Sequence, residues 1–204
     1  MTKIYNEKEL DMLSNILRND GVICCVPTDT VYGLCSRICS FDAYNNLVNI
    51  KNRPKDKLFP IMCKDKNQIK SIAITNEIVE KIIDTFMPGP ITLILKLKDN
   101  LPFVINDNAS TVAVRMRTSN ILGELIEKVG CPLYMTSANI SGKATCITID
   151  EINETFSNLD GILKGDVTYG MASTIIDCTN EELKLIRKGP ITIKQIENVI
   201  GKKI

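Results

Sequence analysis

Hydrophobic positions recur along the chain with two different periods. Leucines are spaced for one helical face within residues 7–19, and the run VICCV at 22–26, after a glycine, is typical of a buried strand. Apolar and polar residues alternate in 91–98 and 111–117, which predicts strands. Further helices are predicted at 41–51, 76–86, 120–129, 149–157 and after Thr192, and further strands at 132–136, 173–178 and 183–187. Helices and strands mixed in this order favour a single α/β domain over 1–204, built on one sheet.

Composition excludes several kinds of chemistry. The 204 residues include no histidine, which rules out Ser-His-Asp triads, Cys-His dyads and histidine-containing zinc sites. The eight cysteines contain no CxxC pair, so they are expected to be buried, reduced thiols, and no protein metal site is predicted. The formal net charge is +1, so a polyanionic partner would have to be held by a local basic patch.

The ends and the apolar runs of the chain bear on its location. The N-terminal stretch MTKIYNEKELDML is polar and has no signal-like apolar region. No apolar run approaches about 18 residues, the length needed to cross a bilayer. We expect a cytoplasmic protein with no membrane association.

Two segments near the predicted strand and helix ends carry unexpected polar groups. In PTDTVYGL (27–34), three oxygen-bearing residues follow the buried strand, where open α/β sheets hold ligands, and Gly33 is expected to permit an unusual turn. In KNRPKDKLFP (51–60), four cations alternate and would project to one side of an extended chain, which suits a phosphate chain: Lys51, Arg53, Lys55 and Lys57. An ordinary polar turn and a solvated basic loop are the alternatives.

Three later segments add arginines and small hydroxyl groups. Arg115 and Arg117 alternate in TVAVRMR, on the face opposite the predicted core, and an arginine fork there would match a carboxylate. MTSANISG (135–142) places hydroxyls and an amide beside glycine, and the pair ASTIID (172–177) and LIRKG (185–189) adds Ser173 and Arg187. Each could be an ordinary loop or an exposed strand face. Together they supply cations and hydroxyls without a base, which favours holding a nucleotide and a small zwitterion.

The same segments, in order, resemble the YrdC-like threonylcarbamoyl-adenylate synthases. The resemblance covers about residues 20 to 190 and is carried by VPTDTVYGL, KNRP, FMPGPITLIL, TVAVRMR, TSANISG, STIID and LIRKGPI. The family's Lys-x-Arg and Ser-x-Asn signatures stand here as Lys51/Arg53 and Ser137/Asn139. It implies a short, single-domain form: a twisted mixed sheet with flanking helices around a positively charged cavity.

The resemblance also implies a reaction. L-threonine, bicarbonate and ATP, with Mg²⁺, would give threonylcarbamoyl-AMP and pyrophosphate, which makes the chain a nucleotidyltransferase. Other proteins would then transfer the threonylcarbamoyl group to adenosine 37 of tRNAs that read ANN codons.

Site residues follow from the motifs. Lys51 and Arg53 are implied at the phosphates and the transition state, with Lys57 assisting on the triphosphate. The nucleotide would lie along Thr111, Ser137, Asn139, Thr145 and Arg187. Threonine would contact Thr30, Met62, Met135 and Ser173 and pair its carboxylate with Arg115.

Two positions depart from the family pattern. Many members have Asn-Pro where this chain has Lys57-Leu58, and a histidine where it has Met62. A methionine can contact the threonine methyl group only by apolar packing, which favours threonine over serine by about 1–3 kcal/mol. Appreciable use of serine is therefore expected.

Other functions remain open from the sequence. An RNA-binding module of the same fold is one, although five Phe and no Trp argue against a broad stacking platform. A carbamoyl-transfer enzyme with another acceptor is a second, and a paralogue that has lost activity is a third. The retained Lys51, Arg53, Ser137 and Asn139 argue against the last.

Overall fold

The computed structural model describes residues 2–54, 58–99, 101, 109–167 and 169–204. The described part contains one ten-stranded mixed sheet with the strand order β1-β8-β2-β3-β7-β4-β6-β5-β9-β10. The strands are β1 (Ile4–Tyr5), β2 (Cys24–Pro27), β3 (Tyr32–Arg37), β4 (Ile61–Cys63), β5 (Ile91–Lys96), β6 (Thr111–Met116), β7 (Leu133–Ser137), β8 (Gly161–Leu163), β9 (Thr174–Asp177) and β10 (Lys184–Arg187). The predicted single-domain α/β fold is confirmed.

Seven α-helices flank this sheet in the described residues. They are α1 (Leu10–Leu17), α2 (Phe41–Lys51), α3 (Lys66–Ile72), α4 (Glu77–Phe86), α5 (Asn120–Val129), α6 (Ile149–Thr155) and α7 (Ile193–Ile200). A short 3₁₀ turn (Glu7–Glu9) precedes α1. No helix in the described ranges is both long and apolar enough to span a bilayer.

Side-chain caps fix where the helices begin. The side chains of Ser40 and Ser119 accept the N–H of the third residue beyond them, at the starts of α2 and α5. Thr148 with Glu151 and Thr192 with Gln195 form complete capping boxes at α6 and α7. The predicted starts were therefore right because the capping signal is local.

The core lies on both faces of the sheet. Along β2, Cys24 and Val26 belong to the cluster covered by α1 and α5, whereas Cys25 belongs to the larger cluster covered by α2, α3, α4, α6 and α7. Because successive strand residues face opposite sides, an all-apolar strand can feed both cores.

Several short strands were not predicted, namely β1, β3, β4 and β8. The expectation of an unusual turn at Gly33 was wrong. Gly33 lies within β3, paired with Val26 on one side and Ser137 on the other. A side chain there would meet Met135, whose Sδ would be 2.5 Å from an added Cβ. Close packing against the Met135 side chain therefore favours glycine at this position.

The cysteines follow the prediction with one clear exception. All eight are free thiols, and six of them are buried. Cys39 is exposed and Cys131 is partly buried. The exposed thiol at Cys39 corrects the expectation that all would be buried.

Candidate active site

The cavity that gathers most of the predicted site residues, named the main cavity for that reason, lies across the middle of the sheet and has a volume of about 180 Å³. It collects side chains from strands distant in sequence, because β3, β4, β5, β6, β7 and β9 are neighbours in the sheet order. Its lining is Thr28, Thr30, Val31, Gly33, Arg53, Pro60, Ile61, Met62, Thr92, Arg115, Met135, Thr136, Ser137, Ala172, Ser173, Ile175 and Arg187. Three arginines and no carboxylate stand among these described lining residues.

A second cavity of about 170 Å³ adjoins the first. Its lining is Lys51, Arg53, Pro54, Ser137, Asn139, Ser141 and Gly142. Arg53 and Ser137 line both cavities, so the two spaces meet at these residues. The structure therefore brings together the segments that carry the Lys-x-Arg and Ser-x-Asn signatures.

Lys51 is the last residue of α2 and is 1% exposed, so its side chain is buried rather than projecting from an extended loop. Asn52 ends the helix in the left-handed conformation (φ 48°), which contradicts the predicted extended alternation at this point. The Lys51 ammonium donates to Ser137 O, to Asn139 O at 2.6 Å and to Asn139 Oδ1 at 3.0 Å. These bonds account for its three N–H groups and tie α2 to the loop after β7.

The pKa of Lys51 lies close to neutral pH. Burial, with the Arg53 guanidinium nearby, lowers the pKa of Lys51 to about 8. The three oxygen acceptors suit the protonated ammonium. Lys51 is therefore charged at neutral pH and loses its proton within a mildly alkaline range.

Asn139 organises the loop after β7. Its Oδ1 also accepts the Ser137 hydroxyl at 2.6 Å, and its Nδ2 donates to Ile140 O at 3.0 Å and Lys143 O at 2.8 Å. The buried Ser141 Oγ has no hydrogen-bond partner among the described residues. Since Ser141 lines the second cavity, its hydroxyl is available to a bound group.

Arg53 stands where the two cavities meet. Its Nη2 donates to Leu58 O at 2.8 Å, and its guanidinium lies 4.9 Å from the centre of the Phe59 ring. The stacking and the hydrogen bond hold the guanidinium at the junction. Lys57, predicted to assist on the triphosphate, lies outside the described residues, as does Lys55.

Arg115 is buried at 7% exposure and lines the main cavity from β6. Its Nη2 pairs with the Asp29 carboxylate and also donates to Gly89 O at 3.2 Å. Its Nη1 donates to Thr30 Oγ1 at 3.0 Å, and its Nε donates to Gly89 O at 3.2 Å. Of five N–H groups, one on Nη1 lacks a partner among the described residues. The fork expected for a carboxylate is thus largely occupied.

Asp29 was passed over as a site residue because it sits in an ordinary-looking turn. Its backbone N–H donates to Thr118 Oγ1 at 3.2 Å, and its carbonyl accepts from Tyr169 N at 2.8 Å. Burial raises the pKa of the Asp29 carboxyl, and the Arg115 charge opposes that rise. An acid directly after a buried strand, with an arginine on a later strand, is the sequence signal that could have revealed this pair.

Ser173 and Arg187 lie together in the lining of the main cavity. Arg187 donates from Nε to Ser173 O at 2.9 Å and from Nη2 to Ser173 Oγ at 3.0 Å. Ser173 Oγ also shares a 2.8 Å hydrogen bond with Thr92 Oγ1, a lining residue that the sequence did not single out. Burial, with Arg115 nearby, lowers the pKa of Arg187. Two arginines therefore approach each other across this cavity.

Met62 and Met135 supply an apolar part of the lining. Met62 is 1% exposed on β4, directly beside Arg115 in the parallel ladder, and Met135 is 7% exposed on β7. Thr111 and Thr145, both predicted along the nucleotide, are not among the lining residues of either cavity. Thr111 begins β6 directly after the partly described stretch 102–110.

A resident metal would need its own ligands. No group of three or more His, Cys, Asp or Glu side chains in the described ranges could hold a metal ion. The donor set is cationic and hydroxyl-rich, so it fits anions.

Comparison with known proteins agrees with this site. A family model, Sua5_yciO_yrdC, with the description Telomere recombination, matches residues 15–189. A protein of Methanocaldococcus jannaschii is 36% identical over 202 residues, covering 95% of each chain. The threonylcarbamoyl-AMP synthase of Pyrococcus abyssi is 35% identical, over 98% of this chain and 62% of that protein.

A solved structure gives the same result. The crystal structure of P. abyssi Sua5 complexed with L-threonine has a TM-score of 0.91 and 32% identity, over 99% of this chain and 62% of that one. This chain thus spans less than two thirds of the length of the P. abyssi protein. The residues that the family model matches include both signatures and all the described lining residues of the two adjoining cavities, and the chain belongs to the Sua5/YciO/YrdC family.

Proposed function

We propose that this chain is an L-threonylcarbamoyladenylate synthase, forming threonylcarbamoyl-AMP and pyrophosphate from L-threonine, bicarbonate and ATP. The observation that carries the proposal is the pair of adjoining cavities joined at Arg53 and Ser137. One has hydroxyls and methionines suited to a small amino acid, and the other has backbone and cationic groups suited to phosphates. The names of the similar proteins support the same activity.

Threonine would occupy the main cavity. Its carboxylate would accept the remaining Nη1 N–H of Arg115 and those N–H groups of Arg187 that have no partner among the described residues. Its methyl group would pack against Met62 and Met135. Three arginines with no lining carboxylate support the predicted positive charge of this space.

The reaction needs two bond-forming steps. The threonine amine attacks the carbon of CO₂ with loss of a proton, or that of bicarbonate with loss of water, and gives a carbamate. A carbamate oxygen then attacks the α-phosphorus of ATP, and the bond from that phosphorus to the bridging oxygen breaks as pyrophosphate departs. Neither step requires a histidine. Bringing the anions together and stabilising the phosphoryl oxygens account for most catalysis of this kind.

Arg53 and Lys51 would have different roles at the phosphates. Arg53 reaches both cavities, so its guanidinium would face the α-phosphate during transfer. Lys51 holds the Ser137–Asn139 loop through hydrogen bonds, so it would also position the backbone that receives the polyphosphate. Mg²⁺ would enter with ATP, bound by phosphate oxygens and water.

The product would pass to further proteins. A mixed anhydride of a carbamate is prone to hydrolysis, so threonylcarbamoyl-transfer proteins acting on tRNA would take it up directly. We place the reaction in the cytoplasm, where ATP and tRNA are available.

Pyrophosphate release tests the proposal. We expect release from MgATP only when threonine and bicarbonate are both present. Arg53→Ala and Lys51→Ala should abolish it, while circular dichroism shows that the fold is retained. Replacing threonine with serine should leave a rate above a thousandth of that with threonine.

Other outcomes would favour other functions. Pyrophosphate release that does not depend on threonine would indicate another acceptor. Tight, salt-sensitive RNA binding without ATP consumption would favour an RNA-binding module. Near-wild-type turnover in both variants would remove Lys51 and Arg53 from the reaction.

A further inference from the structure

Cys39 and Cys131 stand opposite each other beyond the paired ends of β3 and β7. The antiparallel register pairs Arg37 with Leu133. If the same register continues for two more residues, past Arg37 on one segment and before Leu133 on the other, Cys39 lies opposite Cys131. The two segments stay paired here, because the N–H of Ile38 donates to Pro132 O at 3.2 Å.

That hydrogen bond also defines the geometry of the next pair. Hydrogen-bonded and non-hydrogen-bonded pairs alternate along an antiparallel ladder. Ile38 and Pro132 form the hydrogen-bonded type. In a ladder continued by one more residue, Cys39, in the turn after β3, and Cys131 would form the closer type, in which Cα atoms are about 4.5 Å apart. Disulfides span Cα separations from about 4.4 to 6.8 Å. The backbone therefore permits a cross-strand bond.

The two thiols are close enough to interact electrostatically. Burial and the adjacent Cys39 raise the pKa of Cys131 to about 12. Cys39 is exposed and Cys131 is partly buried, whereas the other six thiols are buried. An oxidant in solvent can reach this pair first.

We propose that Cys39 and Cys131 are a site of reversible oxidation, at which a small disulfide such as oxidised glutathione converts them to an intramolecular disulfide. The Cys39 thiolate attacks one sulfur of the oxidant and releases one glutathione thiolate. Cys131, as its proton leaves, attacks Cys39 Sγ and releases the second glutathione. The two cysteines lose two electrons and two protons, and the oxidant becomes two glutathione molecules.

The position of the bond connects it to the candidate site. Cys39 directly precedes Ser40, the cap of α2, and Cys131 lies just before β7. These elements end at Lys51 and Ser137, which are hydrogen-bonded to each other. The disulfide would join the starts of two elements whose ends already meet.

Oxidised glutathione tests the proposal directly on the full chain. The protein is incubated with increasing oxidised glutathione, free thiols are blocked with iodoacetamide, and peptides are mapped by mass spectrometry without reduction. We expect a Cys39–Cys131 linked peptide, reversible by dithiothreitol. Cys24 and Cys35, also opposite each other but fully buried, should stay alkylatable after denaturation and act as an internal control.

Two variants separate the steps. Cys131→Ser should accumulate a stable glutathione adduct on Cys39, and Cys39→Ser should give neither adduct nor link. Both thiols remaining free would overturn the proposal. So would glutathione adducts on the wild-type chain without a link, or a Cys39 bond between two chains on a non-reducing gel. None of these outcomes depends on synthase activity, so the proposed function is tested separately.

Discussion

Lys51 carries a buried ammonium whose N–H groups all end on oxygen atoms of the loop after β7. With a pKa of about 8, it is protonated at neutral pH and becomes neutral as the pH rises. A neutral amine has one N–H fewer and directs a lone pair toward an acceptor. The loop that would receive the phosphates should therefore loosen above about pH 8.

We predict that ATP affinity falls about tenfold between roughly pH 7 and pH 9.5, the loss expected when one hydrogen bond to a charged group disappears. The protonated form binds, so affinity is highest below the Lys51 pKa. Isothermal titration calorimetry measures the change. Lys51→Met should bind weakly at every pH. A wild-type affinity that stays constant across this range would contradict the role given to Lys51.

Asp29 and Arg115 form a buried ion pair, with side chains 14% and 8% exposed. Removing one member leaves the other charge buried without its partner, which costs about 3 kcal/mol of unfolding free energy. We predict that loss for Asp29→Ala, measured by urea denaturation. Asp20→Ala is the matched control, because it breaks the exposed ion pair with Arg37 and should leave the urea midpoint nearly unchanged.

The Asp29→Ala variant also tests whether the threonine carboxylate binds at Arg115. Asp29→Ala frees an Nη2 N–H of Arg115 and leaves its charge uncompensated, so the substrate carboxylate can replace the missing one. Saturating L-threonine should raise the urea midpoint more in Asp29→Ala than in the wild type. An equal or smaller increase would mean that threonine does not reach Arg115.

At the scale of elements, Gly33 and Gly189 each allow close packing of the backbone beside the main cavity. A side chain added at one position would meet a different kind of neighbour from a side chain added at the other. A Cβ at Gly33 would meet the end of the flexible Met135 side chain, and one at Gly189 would meet the backbone of Ser173 and Thr174. A side-chain end can move aside, whereas the backbone at the start of β9 cannot move without disturbing its pairing with β5.

We predict that Gly33→Ala keeps the fold, pushes Met135 within the cavity, and raises the KM for threonine several-fold with little change in ATP affinity. Gly189→Ala should lower the unfolding free energy by at least about 2 kcal/mol. Thermal unfolding and steady-state kinetics distinguish the two. Equal destabilisation by both would show that the β3–β7 contact is as rigid as the β9 backbone.

The elements also show how far local signals reach. Capped helices such as α5 and α6 were predicted nearly to the residue, because a cap and its helix lie within a few positions. The three-residue strands β4 and β8 were missed, since strands this short have no period to detect and are formed by pairing with distant partners. Gly33 was misread for the same reason: its close neighbour lies on another strand.

For the whole molecule, cationic side chains occur both in the cavities and on the surface. Arg53, Arg115 and Arg187 line one cavity, while several surface lysines pair with carboxylates. Lys66 pairs with Glu80 and Asp84, and Lys128 with Asp11 and Glu124. With a net charge of +1, little field remains to attract a polyanion.

We predict that the chain alone binds tRNA no more tightly than non-specific complexes do, with a Kd weaker than about 1 µM at physiological salt. Filter binding at several salt concentrations measures it. Arg53→Ala, which changes a cavity residue, should leave this weak binding unaltered. Nanomolar tRNA binding in the absence of ATP would contradict this prediction of weak binding.

The sequence by itself determined the α/β class, the starts of the capped helices α2, α5, α6 and α7, the absence of histidine chemistry and the ordered motifs that mark the family, but it missed α3. It also singled out several cations and hydroxyls that line the two cavities, such as Arg53, Arg115 and Ser137, whereas Thr111 and Thr145 are not among the lining residues. Only the tertiary structure decided what each one touches. It buried Lys51 against the Ser137–Asn139 loop, occupied most of Arg115 with Asp29 and Gly89, and placed Cys39 near Cys131. Periodicity and capping act over a few residues, whereas these partners lie dozens of positions apart and meet only when the sheet is assembled.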